Sequence, residues 1–190
     1  MERNFVAIVS GLPRSGTSMM MRMIDEGGIP ALTDNLRKAD VDNPKGYYEF
    51  EPVKQTKRDA SWLEQAPGKV VKMVHLLLLD LPKDRPYRVI FMRRRLEEVI
   101  KSQNVMLEHK GKSTADLKDE KVIALFRQQI KQVEDYLDTN PNFNWLEIDY
   151  NELLAHPKPC VERLNEFLGG GMDTAKMLEV VDPTLYRQRA

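Results

Sequence analysis

A chain of 190 residues is the length of one domain, long enough for a substantial core and too short for two ordinary catalytic domains. Lys plus Arg and Asp plus Glu both number 29, a balance that excludes a general nucleic-acid binder or polyanion sponge, so any basic character must be local. The single Cys160 excludes an intramolecular disulfide and a multi-cysteine metal site; with a strand starting near Met1 and no apolar run of the roughly 20 residues a membrane helix needs, the expectation is a soluble cytoplasmic protein.

The first predicted element is a strand over Phe5 to Ser10, an apolar and β-branched run. It leads into a glycine-punctuated turn and a helix start rich in hydroxyls. Gly11 and Gly16 bracket four residues, the spacing with which a loop wraps its backbone N–H groups around an anion at the positive end of the following helix. A nucleotide-hydrolysing loop continues with Lys and then Ser or Thr. Here Gly16 is followed by Thr17 and Ser18, and the cation sits earlier, at Arg14. Without that lysine phosphoryl transfer is not expected, whereas a cation, two or three hydroxyls and an amide nest remain.

The segment from Gly27 to Tyr48, punctuated by Pro30, Asn35, Asn43, Pro44 and Gly46, reads as loops at the C-terminal edge of a sheet, where open α/β folds bind ligands. Glu49 follows the aromatic pair Tyr47 and Tyr48. It would either orient or deprotonate a hydroxyl, or act as a first-turn acid on the next helix. That helix is expected over Pro52 to Gln65, and Ala66-Pro67-Gly68 turns the chain into a second strand, Lys69 to Val74. Lys72 and His75 lie three apart, so on an extended strand they face opposite sides and at most one reaches a shared site unless the chain bends. A third strand, Arg88 to Met92, runs into Arg93, Arg94 and Arg95. The helix Leu96 to His109 follows, with Glu97 and Glu98 in its first turn as the helix dipole favours and Ser102 eight positions after Arg94.

Next comes the clearest amphipathic helix, about Thr114 to Leu137, with Ile123, Phe126, Ile130, Val133 and Leu137 at spacings of three and four. Asn140-Pro141 stops it before a fourth strand, Asn144 to Ile148. The tail from Pro157 holds two short helices separated by Gly169-Gly170-Gly171. Strands alternating with helices predict a three-layer α/β fold, a central mainly parallel sheet flanked by helices, as one domain over 1–190.

Three motifs carry a family resemblance. Pro13-Arg14-Ser15-Gly16-Thr17-Ser18 resembles the phosphosulfate loop of the sulfotransferases, P-loop proteins that move a sulfuryl group from 3′-phosphoadenosine 5′-phosphosulfate (PAPS). Arg94 and Ser102 resemble the family's grip on the donor's 3′-phosphate, although Leu96 stands where the family often has proline and Arg93 and Arg95 are equally cationic. Lys72 and His75 resemble a lysine and histidine pair usually separated by two. The resemblance implies that Arg14, Ser15, Gly16, Thr17 and Ser18 bind the 5′-phosphosulfate, that His75 or Glu49 serves as base, and that no metal takes part. The implied acceptor is a hydroxyl or amine of a small molecule or carbohydrate. A C-terminal Arg-Lys-Gly segment is absent; Arg187 and Arg189 stand as its substitutes, which places the chain nearer short bacterial-type members. Two alternatives stay open: a P-loop kinase of a nucleotide or small metabolite, and a non-catalytic binder of 3′-phosphoadenosine ligands.

Overall fold

The computed structural model describes residues 4–109, 111 and 119–182. Four strands, β1 (Val6–Gly11), β2 (Val70–Val74), β3 (Tyr87–Arg93) and β4 (Phe143–Asp149), form one sheet in the order β2-β1-β3-β4, every pair parallel. Six helices accompany them among the described residues: α1 (Thr17–Glu26), α2 (Leu96–His109), α3 (Asp119–Thr139), α4 (Tyr150–Ala155), α5 (Pro157–Phe167) and α6 (Thr174–Glu179). The strands match the expected ones to within a residue, and the α/β architecture is as the alternation requires.

The sheet is covered on both faces, which explains why its central strand has no polar alternation. All six residues of β1 are buried. Val6 and Ile8 share one core with Val71, Met73, Val89, Phe91 and the Ile130, Val133 and Leu137 stripe of α3. Ala7 and Val9 point the other way, into a core built from Met20, Met21, Met23 and Ile24 of α1 and Cys160, Val161 and Leu164 of α5. This order puts β1 at the point where the chain reverses direction. After β1 and α1 it pairs β2 on one side, then crosses to place β3 on the other. A crevice therefore opens beyond the C-terminal ends of β1 and β3, the position at which such sheets take ligands.

Three expectations are corrected. The helix predicted over Pro52 to Gln65 is two 3-10 turns, Glu51–Gln55 and Ser61–Gln65. Between them the Asp59 carboxylate accepts from the Ser61 amide at 2.9 Å, and Thr56 Oγ1 donates to the Val53 carbonyl while accepting from Trp62 Nε1 at 3.1 Å, so side chains take backbone groups that a continuous helix would use. The helix α4 was not anticipated; Asp149 caps it by accepting from the Glu152 amide at 2.8 Å, a box that D-x-x-E already writes in the sequence. Finally, α3 runs on to Thr139 rather than stopping at Leu137, and the expected start over 114–118 lies outside the described residues. Arg187 and Arg189 lie outside them too.

Candidate active site

The loop between β1 and α1 is closed by its own serine. Both the amide and Oγ of Ser15 donate to the Leu12 carbonyl, at 3.2 and 2.7 Å, so Ser15 is buried and shapes the loop instead of facing the crevice. Arg14 is held in the left-handed region at φ 71° and Gly16 at φ 94°. Gly16 is obligatory on two counts: the conformation suits glycine, and a Cβ there would stand 2.4 Å from the ring of Tyr150. The unpaired first-turn amides of α1, beginning at Thr17, complete a concave donor surface.

Arg14 turns across the crevice. Its Nε donates to Ser102 Oγ at 2.9 Å and a terminal nitrogen donates to the Asp42 carbonyl at 3.0 Å. Arg94 comes from the end of β3 and donates to the Arg14 carbonyl at 3.1 Å. Its Nε is paired with Glu98 at 2.9 Å, a carboxylate that is 0% exposed and also accepts from Asn151. The guanidinium sits 4.8 Å from the Tyr150 ring. The register among the three arginines follows from strand alternation. Arg93 points to the other face, to Glu134 and Glu147, and Arg95 is exposed. Arg94 alone of the three lines the cavity.

That cavity measures about 600 Å³ and extends from the loop to the segment over 37–54. Lys72 lies in its wall, donating to Ser18 Oγ at 3.2 Å and to the Tyr47 carbonyl. Burial pushes the Lys72 amine down to about 8, with Arg37, Arg14 and Lys54 adding to the depression and Glu49 opposing it. Glu49 also faces the cavity, with Oε1 2.6 Å from Arg37 and Oε2 3.8 Å from Lys54. His75 does not line it. The strand β2 ends at Val74, and the chain turns into a 3-10 helix over His75–Asp80, carrying the imidazole under α3, where Nε2 meets Gln129 Oε1 at 3.0 Å. There it is 3% exposed, and burial pushes its pKa down, against the pull of Gln129 and the Gly11 backbone. Val74, two residues after Lys72, is the side chain that shares the lysine's face and lines the cavity.

Residues 6–188 match the sulfotransferase domain family. The chain belongs to the sulfotransferase family. Among solved structures it is similar to a sulfotransferase from Mycobacterium tuberculosis at 16% identity, covering 95% of this chain and 71% of that one with a TM-score of 0.63. A mouse sulfotransferase complexed with PAP (adenosine 3′,5′-bisphosphate) gives a TM-score of 0.61 at 16% identity over 100% and 68% of the two chains. The sulfotransferase domain of the curacin biosynthetic pathway gives 0.59 at 13% identity over 96% and 79%. Comparison with curated proteins returns no match.

In this sulfotransferase the structure also brings in side chains that sequence reasoning passed over. Asp42 crosses the crevice and its carboxylate accepts from His109 Nδ1 at 2.8 Å; both line the cavity. A signal existed: Ser102, Val105, Met106 and His109 lie at helical spacings on one face of α2, so a cavity at Ser102 extends to His109. Beyond His109, residues 110 and 112–118 lie outside the described residues. No group of His, Cys, Asp and Glu that could hold a metal ion occurs among the described residues, and none of their helices is long and apolar enough to cross a membrane.

Proposed function

We propose that this sulfotransferase takes its sulfuryl group from PAPS and passes it to a hydroxyl or amine of a small-molecule acceptor. The observation that carries the reading is the meeting of Arg14 and Arg94, 80 positions apart in the chain and joined through a hydrogen bond at 3.1 Å on one cavity wall. Two arginines lining one cavity in a protein of zero net formal charge make a site for two anionic groups of one ligand. A volume near 600 Å³ is of the size that holds a nucleotide-like ligand.

The residues fit PAPS at both ends. Arg14, Lys72, Ser18 and the loop amides would hold the 5′-phosphosulfate. Arg94 and Ser102 would hold the 3′-phosphate; because Ser102 Oγ accepts from Arg14, its own proton is left to donate. Bound PAPS supplies an activated sulfuryl group beside a phosphate leaving group. Arg14 and Lys72 would meet the charge that collects on that phosphate, fixed donors being most effective where charge develops. Glu49, which lines the same cavity with both its oxygens beside cations, would orient the acceptor. The relative complexed with PAP supports the same donor.

The test is to incubate the protein with sulfur-labelled PAPS and a panel of phenols, alcohols and amines. Label recovered in an acceptor together with stoichiometric PAP is the expected outcome. No transfer, combined with binding and hydrolysis of Mg-ATP, would replace this reading with a kinase.

A further inference from the structure

We propose that His109, positioned by Asp42, is the group that takes the proton from the acceptor. The inference rests on the sulfotransferase reading above and supplies its missing base. Of the two bases the sequence offered, His75 lies beneath α3 with its Nε2 on Gln129, and Glu49 has its oxygens engaged by Arg37 and Lys54. His75 is thereby kept out of the cavity, and the Glu49 carboxylate, which lines it, stands against two cations that compete with an acceptor hydroxyl for its oxygens.

His109 keeps an acceptor atom. Asp42 offers only acceptor oxygens, so the 2.8 Å contact places the imidazole proton on Nδ1 and leaves Nε2 as the acceptor nitrogen. A carboxylate on Nδ1 that fixes tautomer and ring direction is the arrangement by which histidine bases are oriented on unrelated folds. The Asp42 side chain is 7% exposed, whereas His109 is 47% exposed and lines the cavity. Nε2 makes no hydrogen bond among the described residues. The carbonyl of the same Asp42 accepts from Arg14 at 3.0 Å. One residue thus ties the proposed base to the loop that would hold the phosphosulfate. Arg14 on the loop and Lys45 on the crossing segment line the same cavity. Val105 and Met106, one turn before His109, line the cavity beside it and offer an apolar rest for the body of the acceptor.

The step balances. As the acceptor oxygen bonds to the sulfur, its O–H electron pair stays on oxygen and the proton passes to Nε2 of His109. The sulfur–oxygen bond to the 5′-phosphate breaks, and its electron pair leaves on PAP.

The experiment follows PAP release from PAPS, with 2-naphthol and with water alone as acceptor, in wild-type protein and in the His109→Gln, Asp42→Asn and His109→Gly variants. PAP affinity is measured alongside by calorimetry. Expected is a fall in kcat of about 10²- to 10⁴-fold in His109→Gln with PAP affinity unchanged, the span typical of a lost general base. Asp42→Asn should lower kcat with little change in KM, and free imidazole should restore turnover in His109→Gly. Treatment with diethyl pyrocarbonate should modify His109, and 2-naphthol with PAP should protect it. Wild-type turnover in His109→Gln, or His109→Gly indifferent to imidazole, overturns the assignment while retained PAP binding leaves the sulfotransferase reading standing. Wild-type protein that neither binds PAP nor releases it from PAPS overturns both.

Discussion

Replacing Arg94 by alanine is expected to abolish the preference for PAP over adenosine 5′-monophosphate and to destabilise the protein at the same time. The two effects have separate causes. A charge-assisted hydrogen bond to a phosphate contributes about 1.5–3 kcal/mol net, so selectivity should fall by about ten- to a hundredfold. Stability falls because Glu98, 0% exposed, is left without its guanidinium. Breaking a buried pair from one side costs about 3–5 kcal/mol, and the remaining donation from Asn151 to Glu98 holds the loss near the lower bound. For a chain of this length that is a drop in Tm of about 6–12 °C. The double variant Arg94→Ala with Glu98→Ala separates the causes: it removes the stranded carboxylate and should recover most of the Tm, yet bind PAP no better than the single variant. A double variant that regained the preference for PAP would show that Arg94 does not read the 3′-phosphate. Calorimetric titration and thermal melts of the same preparations check both halves.

The second large effect concerns Lys72 and pH. Its amine titrates at about 8 in the folded protein against 10.5 for a free lysine, chiefly through burial. Below pH 8 it is charged in both folded and unfolded chains, and the cost of burying that charge stands in full. Between pH 8 and 10.5 the folded protein releases the proton while the unfolded chain keeps it, so stability rises with pH across that window. Lys72→Met should remove this rise. Ligand binding runs the other way, since an anion beside the amine favours its charged form. PAP should therefore bind with proton uptake near pH 8 to 9, and its affinity should fall as pH rises through about 8. Titrations in two buffers of different ionisation enthalpy report the uptake directly. A wild-type affinity flat from pH 7 to 9, with no proton taken up, would remove Lys72 from the anion site.

The framework of this fold was readable because burial on both faces of the sheet writes itself as unbroken apolar runs, and because α2 shows its first-turn acids and α3 its apolar stripe openly. The loop was readable because Gly11 and Gly16 are demanded by backbone geometry rather than by a ligand. Harder to read was anything decided by where a strand stops. Whether His75 or Val74 follows Lys72 into the cavity depends on β2 ending at Val74 and giving way to a 3-10 turn, and nothing in the run VVKMVHLLLLD marks that point. Arg94 could be placed by spacing, but its separation from Arg93 needed the acids Glu134 and Glu147, which β4 and α3 bring to the far face. The pairing of Asp42 with His109 joins residues 67 positions apart across a segment of no regular pattern. Only the assembled crevice reveals it.

The central claim is that one cavity binds an adenylate carrying phosphates at both ends of its ribose. The most direct measurement is a calorimetric titration of the wild-type protein at pH 7 with PAP, adenosine 5′-monophosphate and Mg-ATP in parallel. PAP should bind at least about tenfold more tightly than the monophosphate, a difference of about 1.4 kcal/mol, and more tightly than Mg-ATP. Equal affinity for PAP and the monophosphate, or a preference for Mg-ATP, would contradict the account.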